Sequence, residues 1–319
     1  MEEKKFSSMI TKEWPSHLLP INETLKSRKL LYRLGSAVSV ISVGLLSKVL
    51  TKMNSFTVHN HDVFLKAAHK IPDNRDRPLI TICNHHSCLD DPTVWGALLP
   101  WSWQIKSTRH RWTAAADDIC FTKPLHSLFF ALGHTFPVER GKGIYQPAMD
   151  FAIRLILQKQ LLHVFPQGKV CEEPDVNDIH LVKKQDHRLL TLSDKSDIDR
   201  PYQFKWGLAR VILDALEKGK SSFDAVEILP FYHLGMDKIL PNLTPYIPRL
   251  MKKVTIFIRQ EGPIVFDGEF INLICQKFPP PVPSIEGKRM SICKFLEDEM
   301  KRLKLEAMKR HLEIKSNSP

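Results

Sequence analysis

Leu79-Ile80-Thr81-Ile82-Cys83-Asn84-His85-His86-Ser87-Cys88-Leu89-Asp90-Asp91-Pro92, residues 79–92, is the stretch on which the reading of this chain turns. Its first five residues are apolar or β-branched, the composition of a short strand buried on both faces. A polar turn follows, and Asp91-Pro92 then reads as a helix start, with Asp91 as N-cap and the proline in the first turn. A buried strand that runs through a polar turn into a helix is the opening unit of an α/β layered domain.

The turn carries titratable groups in a recurrent spacing. His85 and Asp90 stand as H-x4-D, and His86 and Asp91 repeat that spacing one residue later. Imidazole titrates near neutrality and can take the proton of an attacking hydroxyl. A carboxylate on its other nitrogen fixes the tautomer and stabilises the imidazolium that forms. Spacing alone does not choose between the two pairs. Ser87 and Cys88 beside them also leave open a covalent acyl-enzyme route. Cys83-x-His85-His86-x-Cys88 contains metal-ligating residue types, but a structural zinc site combines two separated ligand pairs and the sequence offers no second one. No metal is expected.

Working outward, the alternation of strands and helices continues. Leu161–Phe165 reads as a second buried strand, followed by the tight turn Pro166-Gln167-Gly168. Ala225–Tyr232 and Val254–Ile258 read as two more strands. Ile144–Gln158 and Phe204–Lys218 have helical periodicity, Leu125–Phe136 is rich in apolar and aromatic residues, and Ser291–Ile314 reads as a long charged helix. Residues 171–200 are rich in Asp, Glu, Lys, Asn and Ser and are expected to form a surface insertion. The expected organisation is an N-terminal segment 1–52, a central domain 53–265 and a charged helical region 266–319.

Leu34–Ser47 is an uncharged run bounded by Arg33 and Lys48. As a helix it would be about 21 Å long, short of a bilayer core of about 30 Å. Dipping into one leaflet fits it better than spanning, and a buried core helix is the competing reading. A cleaved signal is disfavoured by the acidic residues upstream, and the N-terminus is not an arginine-rich, acid-free presequence. The chain carries 46 Lys and Arg against 35 Asp and Glu, a net charge of +11 that favours anionic partners. No zinc finger, RNA-recognition signature or basic helix with heptads is present. An anionic membrane surface, rather than nucleic acid, is the expected partner. The six cysteines are dispersed and form no compact disulfide framework.

Several further blocks keep a fixed order along the chain. Asn84-His85-x-Ser87-Cys88-x-Asp90-Asp91-Pro92 is followed by Arg111-Trp112-Thr113, then by Pro137-Val138-x-Arg140-Gly141 and Phe165-Pro166-x-Gly168-Lys169-Val170. Phe204-Lys205-Trp206-Gly207, Ile228-Leu229-Pro230 and His233-x-Gly235-Met236 complete the set. From about Thr57 to about Arg249 the chain resembles the glycerolipid acyltransferase superfamily, and within it the phospholipid–lysophospholipid transacylases. The resemblance implies an α/β fold with a central mixed β-sheet flanked by helices, joined to an N-terminal membrane-dipping helix. It places the H-x4-D pair on His85 and Asp90, as base and orienting acid. It implies acyl transfer between phospholipids and lysophospholipids, with cardiolipin and phosphatidylcholine as lipids. No obligatory acyl-CoA and no cofactor are implied. The implied setting is mitochondrial, in one leaflet, facing the intermembrane space.

The same resemblance suggests substrate contacts at Asn84, Ser87, Arg140, Gly141, Gln167, Gly168, Lys169 and Pro230. Arg140 beside Gly141 offers a fork-shaped cation where a phosphate headgroup could approach, and Lys169 a second one. The chain departs from the pattern at Gln167, where the superfamily carries glutamate. Glutamine replaces a hydrogen-bond acceptor but not a negative charge. That departure keeps two other readings in view: an acyl-CoA-dependent lysophospholipid acyltransferase, and a catalytically weak lipid-binding protein that shapes membranes.

Overall fold

The structure, a computed structural model, describes residues 30–69, 76–171, 203–242, 244 and 246–316. The expected insertion at 171–200 lies, beyond Cys171, outside the described residues.

Among the described residues the first elements are helix α1 (Leu30–Lys52), then β1 (Ser55–His59), α2 (His61–Ala68), β2 (Leu79–Ile82) and α3 (Asp90–Leu98). Next come β3 (Trp112–Ala116), α4 (Pro124–Leu132), β4 (Thr135–Val138), α5 (Pro147–Leu157) and β5 (Leu162–Val164). The last elements are α6 (Gly207–Lys218), β6 (Val226–Leu234), β7 (Lys253–Ile258), β8 (Ile264–Phe266), α7 (Gly268–Lys277) and α8 (Ile285–Ser316). Eight strands form one mixed sheet in the order β1-β7-β6-β2-β5-β3-β4, with β8 also paired to β6. β6 through β4 run parallel, whereas β7 and β8 lie antiparallel to β6.

Continuous apolarity in the central strands follows from burial on both faces. Ile80 and Ile82 of β2 join a core with α5, α6 and α8, while Leu79 and Cys83 join a second core with α2 and α3. β6 divides in the same way, with Ile228 and Tyr232 in the first core and Leu229 and Phe231 in the second. Helix α8 is charged overall, yet it sends Ile292, Leu296, Met300, Leu303 and Ala307 into the first core at helical spacing. The two inner strands β2 and β6 are thus covered on both sides, which makes their C-terminal ends a rigid platform.

Several local expectations change. Helix α1 extends beyond the uncharged run at both ends, and its 23 residues are about 34 Å long. One face, with Tyr32, Ser36, Val40, Gly44 and Ser47, is buried against the domain. At Gly96 of α3 a Cβ would come within 2.8 Å of the Ser47 backbone, so only glycine permits this approach. Leu31, Leu34, Val38, Leu46 and Val49 on the other face are exposed. A helix with one face seated on protein and the other a bare apolar surface suits attachment to a membrane.

Asp91 is not the N-cap of α3, because the helix begins one residue earlier, at Asp90. Arg111, delivered by the start of β3, takes the Asp91 carboxylate with Nε at 3.0 Å and a second bond from its terminal nitrogen. β3 and β4 went unrecognised as strands. Ala114-Ala115-Ala116 favours helix locally, but pairing with β4, continued from Trp112 and Thr113 on β5, overrides that preference. Pro137 fits in β4 because β4 is the edge strand.

Candidate active site

The site lies at the C-terminal ends of β2, β5 and β6, where the turn 83–89 crosses the top of the sheet. His85 Nδ1 is 2.9 Å from Asp90 Oδ2. The same oxygen accepts the backbone N–H of His86 at 2.6 Å and of Ser87 at 2.9 Å. Asp90 is fully buried, while 19% of the His85 side chain remains exposed. Burial by itself pushes the Asp90 carboxyl up. The neighbouring His233, through charge and hydrogen bonding, and then His85 outweigh that effect and hold Asp90 well below the usual carboxylate range. Asp90 is therefore an anion at neutral pH. Because it can only accept, the Nδ1 of His85 carries a proton and Nε2 is left as the basic nitrogen.

The rest of the turn is fastened on all sides. The His85 ring stacks on Phe165 at 4.1 Å between centroids. The His85 backbone N–H donates to Gln167 Oε1 at 3.3 Å, and its carbonyl accepts from the Cys171 N–H at 2.7 Å. Ser87 Oγ donates to the Leu240 carbonyl at 2.9 Å and accepts from the Leu89 N–H. Ser87 is fully buried and thus braces the turn. Asn84 bridges to β6, with Oδ1 accepting the His233 N–H and Nδ2 donating to the His233 carbonyl, both at 2.9 Å. The imidazole can thus pivot little, and one nitrogen faces outward.

Of the residues singled out by sequence, Asn84, His85, Ser87, Asp90 and Gln167 meet in one cluster. Gly168 and Lys169 follow at its exposed edge, and Gly168 has φ of +72°, as its turn requires. Arg140 and Gly141 are not part of that cluster. They follow β4, three strands from β2, a displacement of about 14 Å at strand spacing. There Arg140 pairs with Asp118. Pro230 is a correction: it is buried within β6 opposite Ile82, and contributes to the strand beneath the turn rather than to a surface a substrate could touch. Sequence reasoning missed His233, whose Nε2 is 3.4 Å from Asp90 Oδ2. It also missed Phe165 as the platform under His85. Both stood in the ordered blocks, but nothing local marked them as neighbours of the turn.

Residues 55–234 match the Acyltransferase family model, which is more than half of the chain. The chain belongs to the acyltransferase family. Among the family's curated members it is 34% identical to tafazzin of Drosophila melanogaster, over 86% of this chain and 62% of that protein. It is 32% identical to taffazin of Dictyostelium discoideum, over 65% of this chain and 62% of that protein. It is 30% identical to N-acylphosphatidylethanolamine synthase of Arabidopsis thaliana, over 72% of this chain and 70% of that protein. The chain thus spans somewhat under two thirds of the length of the two tafazzin relatives. The family match covers β1 through the end of β6, the part of the chain that builds the His85–Asp90 turn and its platform.

Proposed function

We propose that this protein is a phospholipid–lysophospholipid transacylase of the tafazzin type. The single observation that carries the reading is the 2.9 Å contact of partly exposed His85 with buried Asp90. His85 Nε2 takes the proton from a lysophospholipid hydroxyl as its oxygen attacks the ester carbonyl of a donor phospholipid. The C–O bond to the donor's glycerol oxygen then breaks, and that oxygen takes the proton back from the imidazolium. The products are a reacylated acceptor and a new lysophospholipid. Asp90 keeps its charge throughout and stabilises the imidazolium between the two steps.

Gln167, Gly168 and Lys169 sit where the acceptor headgroup would lie, with Lys169 as a cation toward phosphate. Asn84 and Ser87 hold the turn. Arg140, beside Gly141 at the end of β4, is a second cation for the phosphates of a headgroup such as cardiolipin's. Phosphatidylcholine is a suitable acyl donor. The catalytic unit is the domain 53–265, with 266–319 closing its core. The segment 1–52 seats it on an anionic leaflet through the bare face of α1, in a mitochondrial membrane facing the intermembrane space.

The test uses purified full-length protein, labelled phosphatidylcholine, unlabelled lysocardiolipin and no CoA compound. Label should appear in cardiolipin, and His85→Ala should abolish it. Transfer only after acyl-CoA is added would refute the transacylase. The Arabidopsis relative favours a second reading, in which the acceptor is the amine of phosphatidylethanolamine; an amide-linked product in the same assay would identify it.

A further inference from the structure

Asp90 is approached by a second imidazole. His233 lies near the end of β6 and is fully buried. Its Nε2 lies 3.0 Å from the Asn84 carbonyl oxygen and 3.4 Å from Asp90 Oδ2. Both partners are acceptors, so Nε2 carries a proton whatever the state of Nδ1. The ring has little freedom to leave. The two hydrogen bonds between Asn84 and the His233 backbone carry on the attachment of β2 to β6 past the last paired residues, Ile82 and Pro230.

The other donors to Asp90 Oδ2 differ in kind. His85, and the backbone N–H groups of His86 and Ser87, belong to the same turn as Asp90 and move with it. His233 stands on a central strand of the sheet, 149 residues beyond Asn84. It is the side chain that ties the carboxylate to the rigid platform rather than to the turn. The second carboxylate oxygen, Oδ1, has no hydrogen-bond partner among the described residues, so the orientation of the group depends on what gathers around Oδ2.

We propose that His233 is a positioning residue for acyl transfer: its Nε2–H anchors Asp90 to β6 and draws off part of its charge, keeping Oδ2 aimed at His85 Nδ1. The proposal rests on the reading of His85 as the base. The titratable and charged groups packed around this point are His85 and His86 from the turn and Asp90 from the start of α3. His163 comes from β5, and Arg111 with Asp91 lies beside it. The His86 ring meets His233 edge-on at 5.4 Å. β7 presents Ile256 opposite His233, and its Thr255 is bonded to His311 of α8.

His233→Phe fills the ring's space without a donor, and His233→Gln restores an N–H near the Nε2 position. Both are measured as full-length protein in vesicles of phosphatidylcholine and lysophospholipid. The phenylalanine variant should lose roughly tenfold or more in kcat with KM little changed, the range found when a partner behind a functional histidine is removed. The glutamine variant should regain most of the lost kcat. A phenylalanine variant with wild-type kcat overturns the proposal. So does a glutamine variant as impaired as phenylalanine, since that outcome belongs to packing alone. Should phenylalanine prevent folding, nitrogen-15 histidine spectra of the unmodified protein decide. A protonated, slowly exchanging Nε2 that disappears in His233→Gln is expected, and an unprotonated Nε2 there overturns the proposal. That signal does not require transfer activity, so it separates failure of this inference from failure of the transacylase assignment, which His85→Ala addresses.

Discussion

Asp90→Asn isolates the charge behind the base. The three donors nearest Oδ2 are His85 Nδ1–H and the N–H groups of His86 and Ser87, at 2.9, 2.6 and 2.9 Å. An asparagine amide oxygen in that position can accept from all three, while its NH2 takes the place of Oδ1, which has no hydrogen-bond partner among the described residues. Turn geometry and imidazole tautomer are therefore retained, and only the negative charge disappears. For an imidazolium and a carboxylate with charge centres about 4 Å apart, at an effective dielectric of about 20, the attraction is about 4 kcal/mol. At 1.36 kcal/mol per tenfold, that corresponds to about a 1,000-fold loss of kcat; the amide dipole returns part of it, which leaves about 30- to 1,000-fold. The assay is transfer of labelled acyl chains from phosphatidylcholine to lysophospholipid in vesicles, with saturating acceptor so that kcat is read. A variant that folds like the parent and keeps more than about a third of its kcat would refute the claim that Asp90 acts through its charge.

Because folding holds the Asp90 carboxyl below its ordinary range, it contributes stability that is present above the unfolded value, near pH 4, and lost as pH falls through the folded one. Thermal unfolding of the unmodified protein should therefore weaken more steeply below about pH 4 than that of Asp90→Asn. Gln167→Ala removes the acceptor for the His85 N–H and should lower kcat about tenfold through a looser turn, whereas Gln167→Glu keeps that acceptor and should fold normally. If alanine is as active as the parent, the contact does not hold the turn. Gly96→Val places a side chain against the Ser47 backbone and should lower stability by about 1–3 kcal/mol, with α1 becoming more accessible to proteases. An unchanged Tm and cleavage pattern would mean that α1 is not seated as described.

What the sequence by itself determined were features decided over a few residues. The strand 79–82 and the helix after it follow from an apolar run ending in polar turn residues; the spacing permits His85 to reach Asp90, but His86 and Asp91 share that spacing and only the fold pairs the first two. The apolar run within α1 follows from composition, whereas its exposed face is known only from the fold. Tertiary structure decided everything that joins distant segments. Ala114-Ala115-Ala116 became strand because β4 pairs along it. Asp91 found an ion-pair partner in Arg111 because the start of β3 arrives beside it. His233 reached Asp90 only because β6 lies next to β2 in register, and hydrogen bonding across that register has no signature in the order of residues along the chain. Local propensity is a sum over neighbours in sequence, whereas the electrostatics of a buried carboxylate depend on whichever donors the fold packs around it.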